Sequence, residues 1–135
     1  MTEVRYLDLE DVLEIASAAT DGAAIVRDPG LLQAAVFRYR TTVFGEDAYP
    51  TVFDKAAALL ESLARNHAFV DGNKRTAWTS AVVFLGINGH RVTLQNAPLL
   101  ETYPFVIAVA TGELNSIDEI AIRLAKFTNE QQRPV

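Results

Sequence analysis

The sequence predicts an all-α fold, a compact single-domain bundle of about six helices around a buried central helix. Apolar residues recur at helical spacing along successive segments. Most of these segments follow a residue that commonly caps helix N-termini, and no stretch indicates a paired sheet. With 135 residues, half of them hydrophobic, the chain 1–135 is long enough for one domain with one core.

Composition narrows the class of protein. The chain has no cysteine, which excludes disulfides and thiolate metal sites and fits a reducing compartment, so we expect a cytoplasmic protein. Its formal net charge of −5 disfavours a broad nucleic-acid surface but leaves room for a small anion site. The N-terminus lacks the pattern of a signal peptide, and the longest apolar stretch, 81–87, is too short to span a bilayer. We therefore expect neither a membrane nor a direct nucleic-acid partner.

Caps mark the first two helices. Asp8 is a good N-cap for a run of apolar residues at helical spacing, and the Asp-Gly pair at 21–22 ends that run. Residues 23–27 are predicted to form a loop. Asp28 followed by Pro29 then begins the second helix, because proline is favoured at the first helical position.

Residues 41–50 break the helical periodicity. The segment holds Phe-Gly-Glu-Asp at 44–47 and ends in Tyr-Pro at 49–50. Apolar side chains in a polar loop favour a mobile lid or flap. An ordinary connection between helices is the alternative, and loop-length statistics favour neither.

The next two helices flank the most polar stretch of the chain. Thr51, with Asp54 three residues later, caps the third helix, whose apolar stripe runs on to His67. We therefore expect the imidazole of His67 to point inward. The following helix, about 74–88, is apolar nearly all round and is predicted to be the buried central helix.

Two further helices complete the chain. Pro98 opens a fifth helix, and Gly112 ends it. Pro104 lies inside that pattern and is expected to kink or divide the helix, because proline removes a hydrogen bond and clashes with the preceding turn. Ser116 begins a capping box for the last helix, and the tail after Thr128 is expected to fray.

Polar chemistry is concentrated in residues 67–75, His-Ala-Phe-Val-Asp-Gly-Asn-Lys-Arg. Because polar groups need partners when they are buried, we interpret the stretch as a site. Gly72 allows a sharp turn and a close approach of a ligand. The free amides at the start of the next helix, from Asn73 onward, form an anion site with the helix dipole. Lys74 and Arg75 add positive charge at the same end.

The same loop supplies other parts that phosphate chemistry needs. Asp71 is suited to bind a magnesium ion that bridges phosphate oxygens, and His67 can accept a proton from an attacking hydroxyl. On these residues alone an ordinary interpretation stays open. His67 would then be a core histidine, Asp71 and Asn73 would make turn hydrogen bonds, and the cations would be surface charges.

The nine residues resemble the signature of the Fic/Doc family, His-Pro-Phe-x-Asp/Glu-Gly-Asn-Gly/Lys-Arg. The resemblance covers nearly the whole chain and implies the Fic/Doc fold. Further stretches that look like the Doc (death-on-curing) branch are 44–45, 49–50, 55–57, the run up to 66, 73–77, 84–85, 88–89 and 112–114.

The resemblance implies a role for each part of the site. His67 would be the general base that activates a target hydroxyl, Phe69 would anchor the motif loop in the core, and Asp71 would bind Mg²⁺. The flap, 44–54, would align the backbone of the target beside the site by strand addition. Its docking residues would be Phe44, Gly45, Glu46, Asp47 and Tyr49.

Phosphate binding would fall to the turn and the start of the following helix. Gly72 and Asn73 would form the anion hole, and Asn73 would also hold phosphate. Arg75 would stabilise the transferred or leaving phosphates and is therefore counted with His67 as catalytic. Lys74 completes the phosphate-binding set.

Three positions depart from the pattern of nucleotide-transferring Fic enzymes. Ala68 replaces a proline, Lys74 replaces a second glycine, and Trp78 replaces a second arginine. The last two changes match the Doc branch. A lysine at position 74 would occupy the space of the inner phosphates, so the nucleotide would be held the other way round. The implied reaction is transfer of the γ-phosphate of ATP by a protein Ser/Thr kinase without a kinase fold.

The implied biological setting is a bacterial type II toxin–antitoxin system. The toxin would phosphorylate a threonine hydroxyl of elongation factor Tu and stop translation. Residues 42–47 come close to the inhibitory motif of Fic proteins, Ser/Thr-x-x-x-Glu-Gly/Asn, but end in Asp. Inhibition is therefore expected in trans, from the C-terminal helix of a Phd-like antitoxin that folds on binding. The alternatives are a Fic-type AMP transferase and a catalytically degenerate antitoxin-binding module.

Overall fold

Helices form most of the described part of the chain, residues 3–128 of a computed structural model. In chain order they are α1 (Leu9–Ala19), α2 (Pro29–Arg38), α3 (Val52–Arg65), α4 (Asn73–Ile87), α5 (Leu99–Thr111) and α6 (Ile117–Phe127). The predicted all-α class and helix number are confirmed. The predicted fraying of the tail concerns residues outside the described part.

The predicted caps begin the helices where the sequence placed them. Asp8 and Thr51 each form a reciprocal capping box, with Asp11 and Asp54 respectively. Ahead of α6, the Ser116 side chain accepts a hydrogen bond from the Glu119 N–H, but no return bond from the Glu119 side chain is present in the described chain, so only half of the predicted capping box forms. These bonds satisfy donors that the first helical turn would otherwise leave without partners.

A small hairpin separates α2 from α3. Strand β1 (Thr42–Val43) pairs antiparallel with β2 (Glu46–Asp47). The two residues of its turn, Phe44 and Gly45, have φ of 53° and 80°, as a tight two-residue hairpin turn requires. The expectation that no strands pair is therefore wrong at this point. Strands of two residues each are too short to show an alternating pattern in the sequence. Residues 52–54 of the predicted flap belong to the first turn of α3.

The buried central helix is α3, not the helix predicted at 74–88. Ten consecutive residues of α3, 55–64, are buried, and the helix packs against α2, α4, α5 and α6. In α4 the apolar residues Val82, Val83 and Ile87 are only partly buried, and Gly86 is exposed. An apolar composition shows what a helix can bury, but its neighbours decide what is buried.

The polar residues of α3 are buried because distant elements supply their partners. Glu61 pairs with Arg38 of α2 at 2.8 Å and with Arg65 at 3.1 Å. Partial burial alone would lower the pKa of Arg38, but its bonds to Glu61 and Tyr49 outweigh this and raise the pKa. Arg65 also donates to the carbonyls of Val109 and Leu114, at 2.7 and 3.0 Å. One ion network thus joins α2, α3 and the end of α5.

The fifth helix runs without a break through Pro104, so the proline does not divide it. Phe105, which follows it, is buried and packs edge-on against Trp78 and Phe127. These aromatic contacts, made by the residue next to the missing N–H donor, hold α5 against α4 and α6. Within residues 3–128, no helix combines the length and the apolar character needed to cross a membrane.

Candidate active site

His67 lies just beyond the C-terminus of α3. Asn66 is the C-cap of that helix, and His67 adopts a left-handed backbone conformation with φ of 52°. Its side chain is exposed, so the expectation that the imidazole points into the core is wrong. The helix ends at Arg65, and the change of backbone direction after its cap places His67 at a cavity on the surface.

The backbone on either side of His67 pairs with the segment before α2. Val26 forms a bridge with Phe69, and the Val70 N–H donates to the Ile25 carbonyl at 2.9 Å. The Ala68 carbonyl accepts from the N–H groups of both Arg27 and Asp28, at 2.7 and 3.0 Å. Main-chain hydrogen bonds from the predicted loop 23–27 therefore hold the motif loop in place.

Arg27 makes the most direct contact with the predicted base. Its guanidinium donates to the main-chain carbonyl of His67 through Nε, at 3.0 Å, and also through Nη2. This role of Arg27 was not predicted from the sequence. The contact joins positions forty residues apart, and no local pattern distinguishes such an arginine from an ordinary surface charge.

Phe69 and Asn73 fix the shape of the motif loop. Phe69 is buried, with 2% of its surface exposed. The Asn73 side chain accepts from the Phe69 N–H at 3.0 Å and donates to the Phe69 carbonyl at 2.9 Å. A bidentate amide bond of this kind closes the loop across one turn. The Asn73 side chain is thus engaged in holding the loop, which leaves its main-chain N–H for an anion.

Gly72 is required by both conformation and space. Its φ is 80°, and a Cβ atom at this position would lie 2.6 Å from Cγ2 of Thr20, beside the end of α1. A residue with a side chain would be strained here and would collide with that threonine. The backbone at Gly72 therefore lies too close to Thr20 to leave room for a side chain.

The N-terminus of α4 has no side-chain cap. The main-chain N–H groups of Asn73, Lys74 and Arg75 make no hydrogen bond with any other group of residues 3–128. Lys74 and Arg75 are exposed beside them, and one N–H of Arg75 donates to the Ala19 carbonyl at 3.3 Å. Free amides, a helix dipole and two cations together form an arrangement that binds anions.

These groups face one cavity of about 760 Å³, within the range of small-molecule sites. One wall is the motif, with His67 and residues 70–75. The rest of the lining is largely apolar and comes mainly from α5, with Trp78 of α4. The α5 residues are Leu99, Thr102, Tyr103, Val106, Ile107 and Ala110. The cavity thus combines an anion-binding end with an apolar surface that suits an aromatic base.

The predicted flap residues do not line this cavity. The hairpin is fastened at the start of α3, where the buried Lys55 donates to the Asp47 carboxylate at 3.0 Å and to the carbonyls of Tyr49 and Pro50. His67 follows the other end of α3, about 16 Å away along the helix at roughly 1.5 Å per residue. Phe44, at the tip of the hairpin, is fully exposed.

Asp71, the predicted magnesium ligand, lies at the cavity. One carboxylate oxygen accepts from the Gly72 N–H at 2.8 Å, and the exposed carboxylate lines the cavity beside the free amides. No group of three or more acidic or histidine residues within the described chain could hold a metal ion by itself. A lone carboxylate nevertheless fits Mg²⁺, which takes most of its ligands from phosphates and water.

A second cavity, of about 910 Å³, lies between α5 and α6. Its wall includes Glu101, Pro104, Arg123 and Lys126. It contains none of the predicted site residues, so the motif and its chemistry belong to the first cavity alone.

The described bundle presents a histidine and an uncapped helix N-terminus to one cavity, an arrangement suited to an anion beside a base. Residues 6–85 match the model of the Fic/DOC family, and the chain belongs to that family. It is 52% identical over 132 residues to "Toxin Doc" of Mycolicibacterium smegmatis, which covers 98% of each chain. It is 32% identical over 127 residues to "Protein kinase doc" of Escherichia phage P1, over 92% of this chain and 96% of the other. These two full-length similarities place the chain in the Doc branch.

Proposed function

We propose that this protein is the toxin of a type II toxin–antitoxin system and acts as a protein kinase that uses ATP. The observation that carries the proposal is the shared cavity, where His67 faces the free amides at the start of α4. Its similarity to proteins named as a toxin and as a protein kinase supports the same function. The proposed target is a threonine hydroxyl of elongation factor Tu, whose modification would stop translation.

In the proposed reaction the target hydroxyl attacks the γ-phosphorus of ATP. A ring nitrogen of His67 takes the hydroxyl proton, a new O–P bond forms, the bond between the β,γ-bridging oxygen and the γ-phosphorus breaks, and ADP leaves. The α4 amides and the Arg75 guanidinium stabilise the charge on the transferred group. Asp71 would hold Mg²⁺, which neutralises phosphate charge when it is bound.

Lys74 supports phosphate transfer over nucleotide transfer. It stands at the second position of α4, exposed and directly beside the free amides. A side chain and a positive charge here restrict the space in which inner phosphates would have to lie. Lys74→Gly is therefore expected to raise nucleotide transfer relative to phosphate transfer.

The proposal is tested with ATP labelled at the γ- or the α-phosphate, together with Mg²⁺ and elongation factor Tu. Label is expected on the target only from γ-labelled ATP, and His67→Ala is expected to abolish it. Label from the α-position alone would replace the kinase by an AMP transferase. No transfer from either position, with harmless expression in the absence of an antitoxin, would leave only an antitoxin-binding module.

The proposed antitoxin contact is a C-terminal helix of a Phd-like partner. Exposed apolar residues border the active-site cavity, among them Val70, Leu99 and Tyr103, which are 62%, 72% and 66% exposed. An amphipathic helix that folded against this surface would bury them. Co-expression of such an antitoxin should relieve growth arrest, and a fragment that lacks its C-terminal segment should not.

A further inference from the structure

The backbone of His67 has a conformation that its residue type disfavours. Among residues 3–128, only Asp21, Phe44 and His67 combine a side chain with positive φ. The first two precede glycines in exposed turns. His67 instead connects α3 to the motif loop, and no glycine shares its turn. A conformation of this kind persists only where surrounding contacts hold it.

Arg27 supplies such a contact at the peptide group that follows His67. Both Nε and Nη2 of its guanidinium donate to the His67 carbonyl, and the direction of this carbonyl reflects the ψ angle of His67. The next carbonyl, that of Ala68, accepts main-chain N–H groups of Arg27 and Asp28. Two successive peptide groups are therefore fixed by the segment that begins α2.

The guanidinium is committed to this one carbonyl. Arg27 forms no ion pair with any acidic residue in the described part of the chain, and it does not line the active-site cavity. The planar fork of arginine can direct two N–H groups at one acceptor, which a lysine ammonium cannot match in geometry. Arg27 therefore contacts the site through the His67 carbonyl and not through the cavity wall.

We propose that Arg27 is a positioning residue, which orients the imidazole of His67 towards the target hydroxyl by holding the His67 carbonyl. The inference rests on the proposed function, in which His67 is the base. Small displacements of a catalytic group reduce turnover strongly without weakening substrate binding. The role of Arg27 should therefore appear in kcat and not in the KM for ATP.

The experiment compares Arg27→Ala, Arg27→Lys and the matched control Arg123→Ala, since Arg123 is an exposed arginine on α6 that does not line the active-site cavity. Steady-state transfer of γ-label to elongation factor Tu gives kcat and KM. We expect Arg27→Ala to lower kcat by about 30-fold or more, with the KM for ATP within about twofold. Arg27→Lys, which keeps one donor, should recover part of the loss, and Arg123→Ala should match the wild type.

A second measurement does not depend on activity. The chain has two histidines, so carbonyl ¹³C labelling of histidine gives two NMR signals, and His67→Ala assigns them. The His67 signal should shift in Arg27→Ala, while Arg123→Ala leaves it in place. The two proposals can therefore fail separately. An inactive wild-type protein would contradict the kinase activity, and the NMR comparison would still show whether Arg27 holds the His67 carbonyl.

Two results would overturn the role of Arg27. One is an unshifted His67 carbonyl signal in Arg27→Ala. The other is a kcat within about twofold of wild type. If Arg27→Ala does not fold, the same two thresholds apply to Arg27→Met, which keeps a long apolar stem but has no donor for the His67 carbonyl.

Discussion

At the scale of single residues, alanine substitutions at three glycines can distinguish the cost of backbone strain from the cost of a steric collision. A Cβ at Gly72 would meet Thr20 at 2.6 Å with φ at 80°. Gly45 has the same φ but open space around the missing Cβ, and Gly86 is helical with open space. The same substitution to alanine therefore tests strain with collision, strain alone, and neither.

We expect Gly72→Ala to lower the free energy of unfolding the most, by about 2–4 kcal/mol, because about 1–3 kcal/mol of strain adds to the collision. Gly45→Ala should cost about 1–2 kcal/mol, and Gly86→Ala should stabilise by up to about 1 kcal/mol. Urea unfolding of the three variants measures the order. Equal losses of unfolding free energy in Gly72→Ala and Gly45→Ala would mean that Thr20 moves aside at no cost, so that the collision contributes nothing.

The burial of Tyr39 leads to a prediction about stability at alkaline pH. Its side chain is fully buried, and its hydroxyl accepts from the Leu7 N–H at 2.6 Å and donates to the Leu7 carbonyl at 2.8 Å. Burial raises the pKa of Tyr39 well above its ordinary value of 10. Because the folded state holds the proton more tightly, the stability due to this residue is complete below pH 10. It is lost as the unfolded chain ionises above that pH.

Tyr39→Phe should therefore be destabilised by about 1–3 kcal/mol at pH 8, where two hydrogen bonds are lost. Its difference from the wild type should shrink by about 1.4 kcal/mol between pH 8 and pH 11, because one pH unit above the ordinary pKa is worth about that much. Guanidinium unfolding of both proteins at several pH values gives the difference directly. A difference that stays constant up to pH 11 would contradict the raised pKa.

At the scale of elements, the starts of helices were predictable from the sequence, whereas contacts between distant segments were not. Asp8, Asp28, Thr51 and Ser116 cap their helices as predicted, because a cap acts on N–H groups two or three residues away. The hairpin was missed as a paired structure, since its strands have two residues each. Lys55, which holds the hairpin in place, belongs to the following helix, and no local sequence pattern marks it.

Lys55 is expected to hold the hairpin in place. Its ammonium is buried, with 1% of the residue exposed, and binds three oxygen atoms of residues 47–50. Lys55→Met should release the hairpin, so the Ala48 N–H, which donates to Thr41 at 2.9 Å, should exchange at least about ten times faster. Global stability should fall by about 1–3 kcal/mol.

Hydrogen exchange followed by NMR or mass spectrometry resolves this effect from general loosening. Lys126→Met is the matched control, because Lys126 is exposed on α6. If both variants exchange alike at Ala48, then Lys55 serves only the stability of α3 and does not fasten the hairpin.

At the scale of the whole molecule, the contents of the motif were predictable and its orientation was not. His67 and residues 70–75 of the motif line one cavity. The direction of His67 and the engagement of Asn73 with Phe69 depend on where α3 ends and on pairing with residues 25–28. Those contacts join parts of the chain far apart in sequence, which periodicity does not detect.

The identity of the central helix follows the same logic and leads to a prediction about the whole core. Ala56, Ala57 and Ala58 of α3 are consecutive and have no exposed surface. Three small side chains pointing in different directions, all covered, mean that neighbouring elements approach the helix closely on several sides.

Ala57→Leu should therefore overpack the core and lower the free energy of unfolding by about 1–3 kcal/mol or more. Ala18→Leu on α1 is the matched control, since Ala18 is exposed and leucine has a helix propensity close to that of alanine. Urea unfolding should separate the two variants clearly. A helix at the edge of the bundle would tolerate the larger side chain at position 57, so equal stability of the two variants would remove α3 from the centre of the fold.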